Sequence, residues 1–386
     1  MPTTQCRSTP IIVDDLKIAT VSVINDLNTD QRVDKMCSTL TSLGFDVLLV
    51  GRKKSDSLPL EKREYRMHRM RLTFEKGPLF YAEYNIRLFL LLLSRRTDIL
   101  ISNDLDTLLA NYLASRIRGK PLVYDTHEYF TETPEVINRP FVRNTWKRIE
   151  KWIFPRLKHV FTVNESLAAI FSKKYGVEVK AVRNVPRKRK HTSVRSRKEL
   201  GLPADKPVIL LQGAGINIHR GAEELVKAMQ YLDNVLLLIV GGGDVMPELH
   251  RTADELNLND RVRFIPKQPY EKLLEYTANA DLGLTLDKDT NPNYRYSLPN
   301  KLFDYIHSGV PVLASPMVEI KKIIDEYEVG TTINTYDPEK IAEKIKTLLS
   351  DKETLRYWKE NCTFASNQLC WENEKKIVED VYREYV

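Results

Sequence analysis

A chain of 386 residues is too long for one ordinary core. Its 42% hydrophobic and 29% charged residues, at a mean hydropathy of −0.37, are those of a globular protein and exclude a chain dominated by disorder. The formal charge of +7 and pI near 9.0 point to an acidic partner, which nucleic acid, a phosphorylated substrate or anionic lipid would each satisfy.

From Lys17 the chain alternates β-branched runs with longer helical patterns. "KIATVSVI" reads as a strand, "DQRVDKMCSTLTSLG" as a helix closed by Gly44, and "FDVLLVG" as the next strand. "LFLLLL", residues 88–93, is bracketed by Arg87 and Arg95-Arg96 and falls far short of the ~20 residues of a membrane helix, so it is expected in a buried helix. Then follow "DILISND", the helix "LDTLLANYLASRIRG", "PLVYDTHE", and "HVFTVN" with the helix "ESLAAIFSKKYG".

The basic run "RKRKHTSVRSRK", residues 187–198, interrupts this grammar, which restarts with "KPVILLQGAG" and the helix "GAEELVKAMQYL". Strands at "NVLLLIVGGG", "RVRFIP", "DLGLTLD" and "VPVLAS" alternate with further helices up to the C-terminus. Strands separated by helices of about a dozen residues mean parallel βαβ units that bind ligands at the strands' carboxyl ends. The expected fold class is therefore α/β, with two doubly wound, Rossmann-like domains facing across a cleft. Residues 1–183 form the first domain, 184–207 a basic linker and 208–370 the second.

The most informative stretch is "SLPNKLFDYIHSGVPVLAS", residues 297–315. Ser297 is placed to cap a helix that has Pro299 in its first turn and Gly309 at its end. The helix follows a strand, so its free N–H groups and dipole favour a phosphate, and Lys301 adds a point charge. Asp304, one turn deeper, is placed to accept from sugar hydroxyls; the alternative is a surface Lys–Asp pair. A second anion site is expected in "GAGINIHRGAEELV", where Gly213 and Gly215 permit a turn and Arg220 and Gly221 precede a helix. "VGGGD", residues 240–244, is either a close approach to a ligand or a plain turn.

These blocks resemble the GT-B glycosyltransferases, and specifically the retaining family-4-like group (glycosyl transferases group 1). The likeness is carried by "GINIHRG", "IVGGGD", "RVRFIPKQPYEKLLEYTANADLGL" and "LPNKLFDYIHSGVPVLAS", and in the first half by "DQRVDKMCSTLTSLGFDVLLVG", "VYDTHEYF" and "VFTVNESLAAIFSKKYGVEVKAVRNVP". It implies an enzyme moving a sugar from a nucleotide-diphosphate donor to a hydroxyl acceptor. The donor diphosphate would be held by Gly215, Arg220, Gly221, Pro299, Asn300 and Lys301. Arg220 matches the family's lysine, whereas the family's arginine falls at about Gly215, leaving Lys301 to compensate. Asp304 matches the ribose-binding glutamate; the other family glutamate falls on Tyr296, beside the transferred sugar. His127 falls where the family has a histidine contacting the donor sugar and phosphate. The resemblance also implies that the last helix, residues 371–386, packs back on the first domain. It implies no cofactor beyond the nucleotide sugar as co-substrate.

In "VYDTHEYFTE", Asp125, His127 and Glu128 lie just past a strand, and Asp125 and Glu128 are acceptor-side candidates. Arg32 is a third, the alternative being a solvated arginine. "NDLDT", residues 103–107, mimics a metal-binding DxD, but Asn103 and Asp104 read as helix-capping residues, as do the acids of "DKD", residues 287–289, and no His/Asp/Glu grouping has metal spacing. Cys6, Cys37, Cys362 and Cys370 show no CxxC or CxxH spacing, which with the absence of a signal-peptide pattern gives a cytoplasmic expectation. A basic cluster from Arg52 to Arg71, interleaved with Leu58, Leu60, Tyr65, Met67, Met70, Leu72 and Phe74, is either a charged, solvated loop or a contact with the inner face of an anionic membrane. The acceptor would then be a glycan or lipid-linked hydroxyl in bacterial surface-polysaccharide synthesis. Two other readings stay open: a nucleotide-sugar epimerase of the same fold, and a basic nucleic-acid-binding protein. The 187–198 run lacks the interleaved aromatics that single-strand binding uses, which weighs against nucleic acid.

Overall fold

The computed structural model describes residues 16–28, 30–55, 57, 59–188 and 195–386. Cys6, Leu58 and residues 189–194 of the basic run lie outside the described residues.

Two parallel sheets carry the fold. The first contains β1 (Ile18–Ser22), β2 (Asp46–Lys53), β3 (Arg66–Arg71), β4 (Ile99–Asn103), β5 (Leu122–Thr126), β6 (His159–Thr162) and β7 (Val179–Ala181), in the order β3-β2-β1-β4-β5-β6-β7. The second contains β8 (Val208–Gly213), β9 (Leu236–Gly241), β10 (Val262–Ile265), β11 (Leu282–Thr285), β12 (Val312–Ala314) and β13 (Gly330–Thr332), in the order β10-β9-β8-β11-β12-β13. This is the doubly wound α/β class that the alternation of strands and helices predicts. By compactness the chain divides into residues 1–124 with 379–386, and residues 125–378.

In the second sheet both faces of the strands are apolar, because helices cover both. Ile209 and Leu211 of β8 and Leu237 and Ile239 of β9 pack with Leu225, Val226, Leu249 and Ile345. The intervening Val208, Leu210, Leu236 and Leu238 pack on the other side with Leu302, Phe303, Ile306 and Ile320. Each such leucine or isoleucine contributes about 1.5–3 kcal/mol by leaving water. Leu202, just before β8, is buried in the same core, and Arg197 donates to Asn279 O and pairs with Asp281 at 2.7 Å.

In the first unit three expectations change. The helix Gly77–Ser94 starts well before the "LFLLLL" run and is not wholly buried: Phe80, Tyr84, Leu88 and Leu92 face the core, whereas Ile86 and Leu90 are exposed. The basic cluster is not a loop throughout, for "RMHRMR" is the edge strand β3, paired in parallel with β2. A charged edge discourages further strands from adding. Three of its arginines are tied down: Arg66 pairs with Asp46 at 2.6 Å, Arg69 with Asp26 at 2.6 Å and Arg63 with Asp34 at 3.2 Å, while Tyr65 and Met70 are buried. Finally, Asp104 precedes the helix Leu105–Arg118 without a side-chain cap bond, and Asn103 donates to Ser22 O at 3.0 Å. Neither caps the helix as expected. At Tyr382 the C-terminal segment of this unit sits edge-on to Phe45.

Candidate functional site

The strand order of the second sheet reverses at β8, whose neighbours are β9 and β11. Loops leaving β8 and β11 part there, and the crevice at the strands' carboxyl ends is where open α/β sheets bind ligands.

The loop leaving β8 lies against the loop leaving β9. Ile216 N–H donates to Gly242 O at 2.8 Å, and Gly242 N–H to Gly213 O at 3.2 Å. A Cβ on Gly241 would stand 1.8 Å from the Gly213 oxygen, and one on Gly243 2.0 Å from the Ile216 oxygen. Contact between two backbones thus accounts for glycine at both positions of "VGGGD". Gly221 has φ +75, and a Cβ there would stand 2.2 Å from the Leu286 oxygen, so only glycine lets the helix Ala222–Ala228 start against the chain leaving β11. Gly215 would accept a Cβ, whose nearest neighbour is the Asn217 side chain at 3.6 Å.

Arg220 reaches from this loop to the end of β11. Its Nη1 stands 3.2 Å from Asp287 Oδ1, and its guanidinium 4.1 Å from the centre of the Tyr294 ring. Lys301 Nζ lies 4.0 Å from the same Oδ1. Asp287 is 0% exposed, and its Oδ2 accepts from Thr285 Oγ1 at 3.2 Å. Burial pulls the Arg220 pKa down, but Asp287 and Tyr294 more than offset this and raise it. For Lys301 burial dominates, Arg220 reinforces it, and the pKa falls despite Asp287. Two cations face one buried carboxylate, so the cluster carries one positive charge in excess.

Lys301 is the second residue of the helix Asn300–His307, whose N-cap is Pro299 with no side-chain cap bond. Ser297 instead donates to Tyr294 O at 2.9 Å, contrary to the capping role expected of it. The first N–H groups of this helix are left for a ligand or water. Asn300 Oδ1 accepts from Asn184 at 2.9 Å.

Asp304 is not an open carboxylate. Its Oδ1 accepts from Tyr270 OH at 2.7 Å and its Oδ2 from Gln212 Nε2 at 3.0 Å, while Thr277 Oγ1 donates to Gln212 Oε1 at 2.7 Å. The residue is a buried strut between a helix and the end of β8.

His127 Nε2 stands 3.4 Å from Oδ2 of the fully buried Asp125. Glu128 Oε2 accepts from Asn293 Nδ2 at 3.4 Å, and Tyr129 N–H donates to Asn293 Oδ1 at 3.0 Å. Asn293 and Tyr294 are neighbours on the short helix Pro292–Arg295. The His127 loop therefore holds that helix at one residue and Arg220 holds it at the next. Tyr296, just beyond, accepts at its carbonyl from Asn164 Nδ2 at 2.8 Å. Arg32 lies in the other unit and is 2% exposed, so the solvated-arginine alternative falls. Tyr294 and Gln212 escaped the reading of the sequence, and Asp287, which reads there as a capping acid, instead faces Arg220 and Lys301. The signal for Asp287 was its place just past a strand that neighbours β8.

This fold, two parallel α/β sheets each with a strand-order reversal, is that of the GT-B class. One family model, glycosyltransferase family 4, matches residues 30–187, and a second, glycosyl transferases group 1, matches residues 193–363. The chain belongs to this family. A D-inositol 3-phosphate glycosyltransferase of Corynebacterium glutamicum is 26% identical over 202 residues, 50% of this chain and 47% of that protein. The matched region spans less than half the length of each of the first curated relatives. Sucrose-phosphate synthase from Thermosynechococcus elongatus superposes with a TM-score of 0.78 at 19% identity, covering 95% of this chain and 98% of that one. Anabaena HepE in complex with UDP-glucose does so with a TM-score of 0.73 at 16% identity, covering 95% and 99%.

Proposed function

We propose that the chain transfers a sugar from a nucleotide-diphosphate donor to a hydroxyl acceptor. The observation that carries this reading is the convergence of Arg220 and Lys301 on Asp287, beside the uncapped start of the helix Asn300–His307. Fixed cations and free N–H groups suit a diphosphate, whose charge grows as the sugar leaves it. The bond from sugar C1 to the diphosphate oxygen breaks and a bond from C1 to the acceptor oxygen forms. The hydroxyl proton leaves with the departing diphosphate.

Backbone N–H groups at Gly215, Gly221 and Asn300 complete the diphosphate cradle, and Pro299, which has no N–H to donate, starts the helix that presents them. Asp304 takes the ribose, and Tyr296 and His127 lie toward the sugar. Arg32, Asp125 and Glu128 are the acceptor-side candidates. A glycan or lipid-linked hydroxyl in bacterial surface-polysaccharide synthesis is the acceptor class, in the cytoplasm, where nucleotide sugars are made. The curated relatives' name adds inositol 3-phosphate as a small acceptor to assay beside it.

The test is turnover of a panel of nucleotide sugars with and without acceptor. Arg220→Ala and Lys301→Ala each lower kcat/KM by about 10²-fold, and Arg220→Lys is milder. Folded alanine variants with near-wild-type turnover sink the diphosphate assignment. Isomerisation of the donor with no acceptor present would instead identify an epimerase.

A further inference from the structure

The helix Gly77–Ser94 is apolar on both sides. Phe80, Tyr84, Leu88 and Leu92 recur every fourth residue and are buried. About half a turn away lie Leu79, Ile86 and Leu90, which are 61%, 59% and 58% exposed. The helix Leu105–Arg118 packs beside it and adds Ile117, 65% exposed. A helix that is apolar all round is ordinarily covered all round, and a run of exposed leucine and isoleucine marks a docking surface.

The charges around this face select what docks. Near the helix start, Arg52, Lys53, Lys54 and Lys76 line an open groove with the exposed Phe74, four cations against the single acid Glu75. Near its end stand the exposed Arg95 and Arg116, and there Arg118 ties the two helices together by donating to Leu92 O and Arg95 O. Glu83, the one acid on the helix, is already engaged: it accepts from Thr73 and Phe74 N–H and pairs with Arg87. An apolar centre with cationic ends has an anionic, amphiphilic surface as its complement. Protein interfaces, by contrast, surround an apolar centre with a hydrogen-bonding polar rim.

We propose that this face rests on the anionic leaflet of a lipid bilayer. Leu79, Ile86 and Leu90 enter the acyl boundary, and the lysines and arginines at either end lie among the headgroups. The helix lies along the surface: among the described residues no helix is long and apolar enough to cross a membrane. The seat differs from the arginines at 63, 66 and 69, which are engaged within the fold.

Sedimentation of the full chain with vesicles of phosphatidylcholine, alone or mixed with phosphatidylglycerol, tests this. The chain binds the mixed vesicles, binding weakens as salt is raised, and both Ile86→Glu/Leu90→Glu and Lys53→Glu/Lys76→Glu reduce it about tenfold or more. The substituted side chains are largely exposed, so the melting temperature holds and reports intact folding. Failure of the wild type to bind mixed vesicles at low salt overturns the proposal, as does equal binding to neutral ones. Wild-type binding by the Ile86→Glu/Leu90→Glu variant also overturns it. So does a dimer that this variant dissociates without any vesicle binding, which would assign the face to a second copy. Transfer to a soluble hydroxyl acceptor without lipid is unaffected by these substitutions, so this outcome and that of the glycosyl-transfer reading are read separately.

Discussion

Replacing Asp304 separates the strut role its bonds show from the ribose role proposed for it. Asp304→Ala strips partners from buried Gln212 and from Tyr270, so it lowers stability as well as any ligand affinity. Asp304→Glu keeps the charge and shifts its oxygens. If the carboxylate also holds the donor ribose, nucleoside-diphosphate affinity falls by roughly 1.5–3 kcal/mol in the alanine variant, beyond what the loss of melting temperature explains. Calorimetric titration of folded protein decides this, and unchanged affinity makes Asp304 purely a strut. Lys301 yields a pH signature. Burial and Arg220 hold its pKa below that of an ordinary lysine, about 10.4. Its cation is lost as pH rises through the depressed folded value, so nucleoside-diphosphate affinity declines earlier than an ordinary lysine would cause. Stability moves the opposite way: the folded chain releases this proton before the unfolded chain does, so stability gains as pH climbs through the window between the two values. Lys301→Arg keeps affinity flat there, and identical profiles for the two proteins would remove Lys301 from the cradle. Lys301 and Arg220 stand out in the sequence because each lies beside a helix start that follows a strand, and the structure brings both to Asp287. Asp287 does not, since an acid past a strand looks the same whether it is solvated or buried between cations.

At the scale of elements, glycine divides structural from permissive positions. Gly221→Ala forces a Cβ onto the Leu286 oxygen at a positive φ and costs about 3 kcal/mol or more, whereas Gly215→Ala costs less than about 1 kcal/mol. Urea unfolding of the two variants checks the contrast, and equal losses would contradict the loop packing described above. The long strands and helices could be read from the sequence because their periodicity is strong. β3, β7 and β13 could not: at sheet edges half the apolar signal is missing, and "RMHRMR" presents charge where a central strand would present valine. Ser297 and Asp104 were read as caps from residue type alone, yet Ser297 bonds behind the helix and Asp104 has φ 58, a backbone that turns its side chain away from the cap position.

Over the whole molecule, the two sheets repeat one strand order through six strands, with the reversal at β1/β4 in one and β8/β11 in the other. Alternation of strand and helix made that class readable. The net charge of +7 was a poorer guide to partners. Many arginines that produce it pair with carboxylates inside the fold, and only coordinates distinguish those from cations facing outward. The doubly apolar helix Gly77–Ser94 has a calorimetric consequence. Water around Leu79, Ile86 and Leu90 is released when a bilayer covers them, so association through that face carries a negative heat-capacity change. Its enthalpy becomes more favourable on warming, whereas the ionic contribution from the lysines and arginines at the helix ends is set mainly by salt. Temperature and ionic strength thus act as two separate controls on one contact.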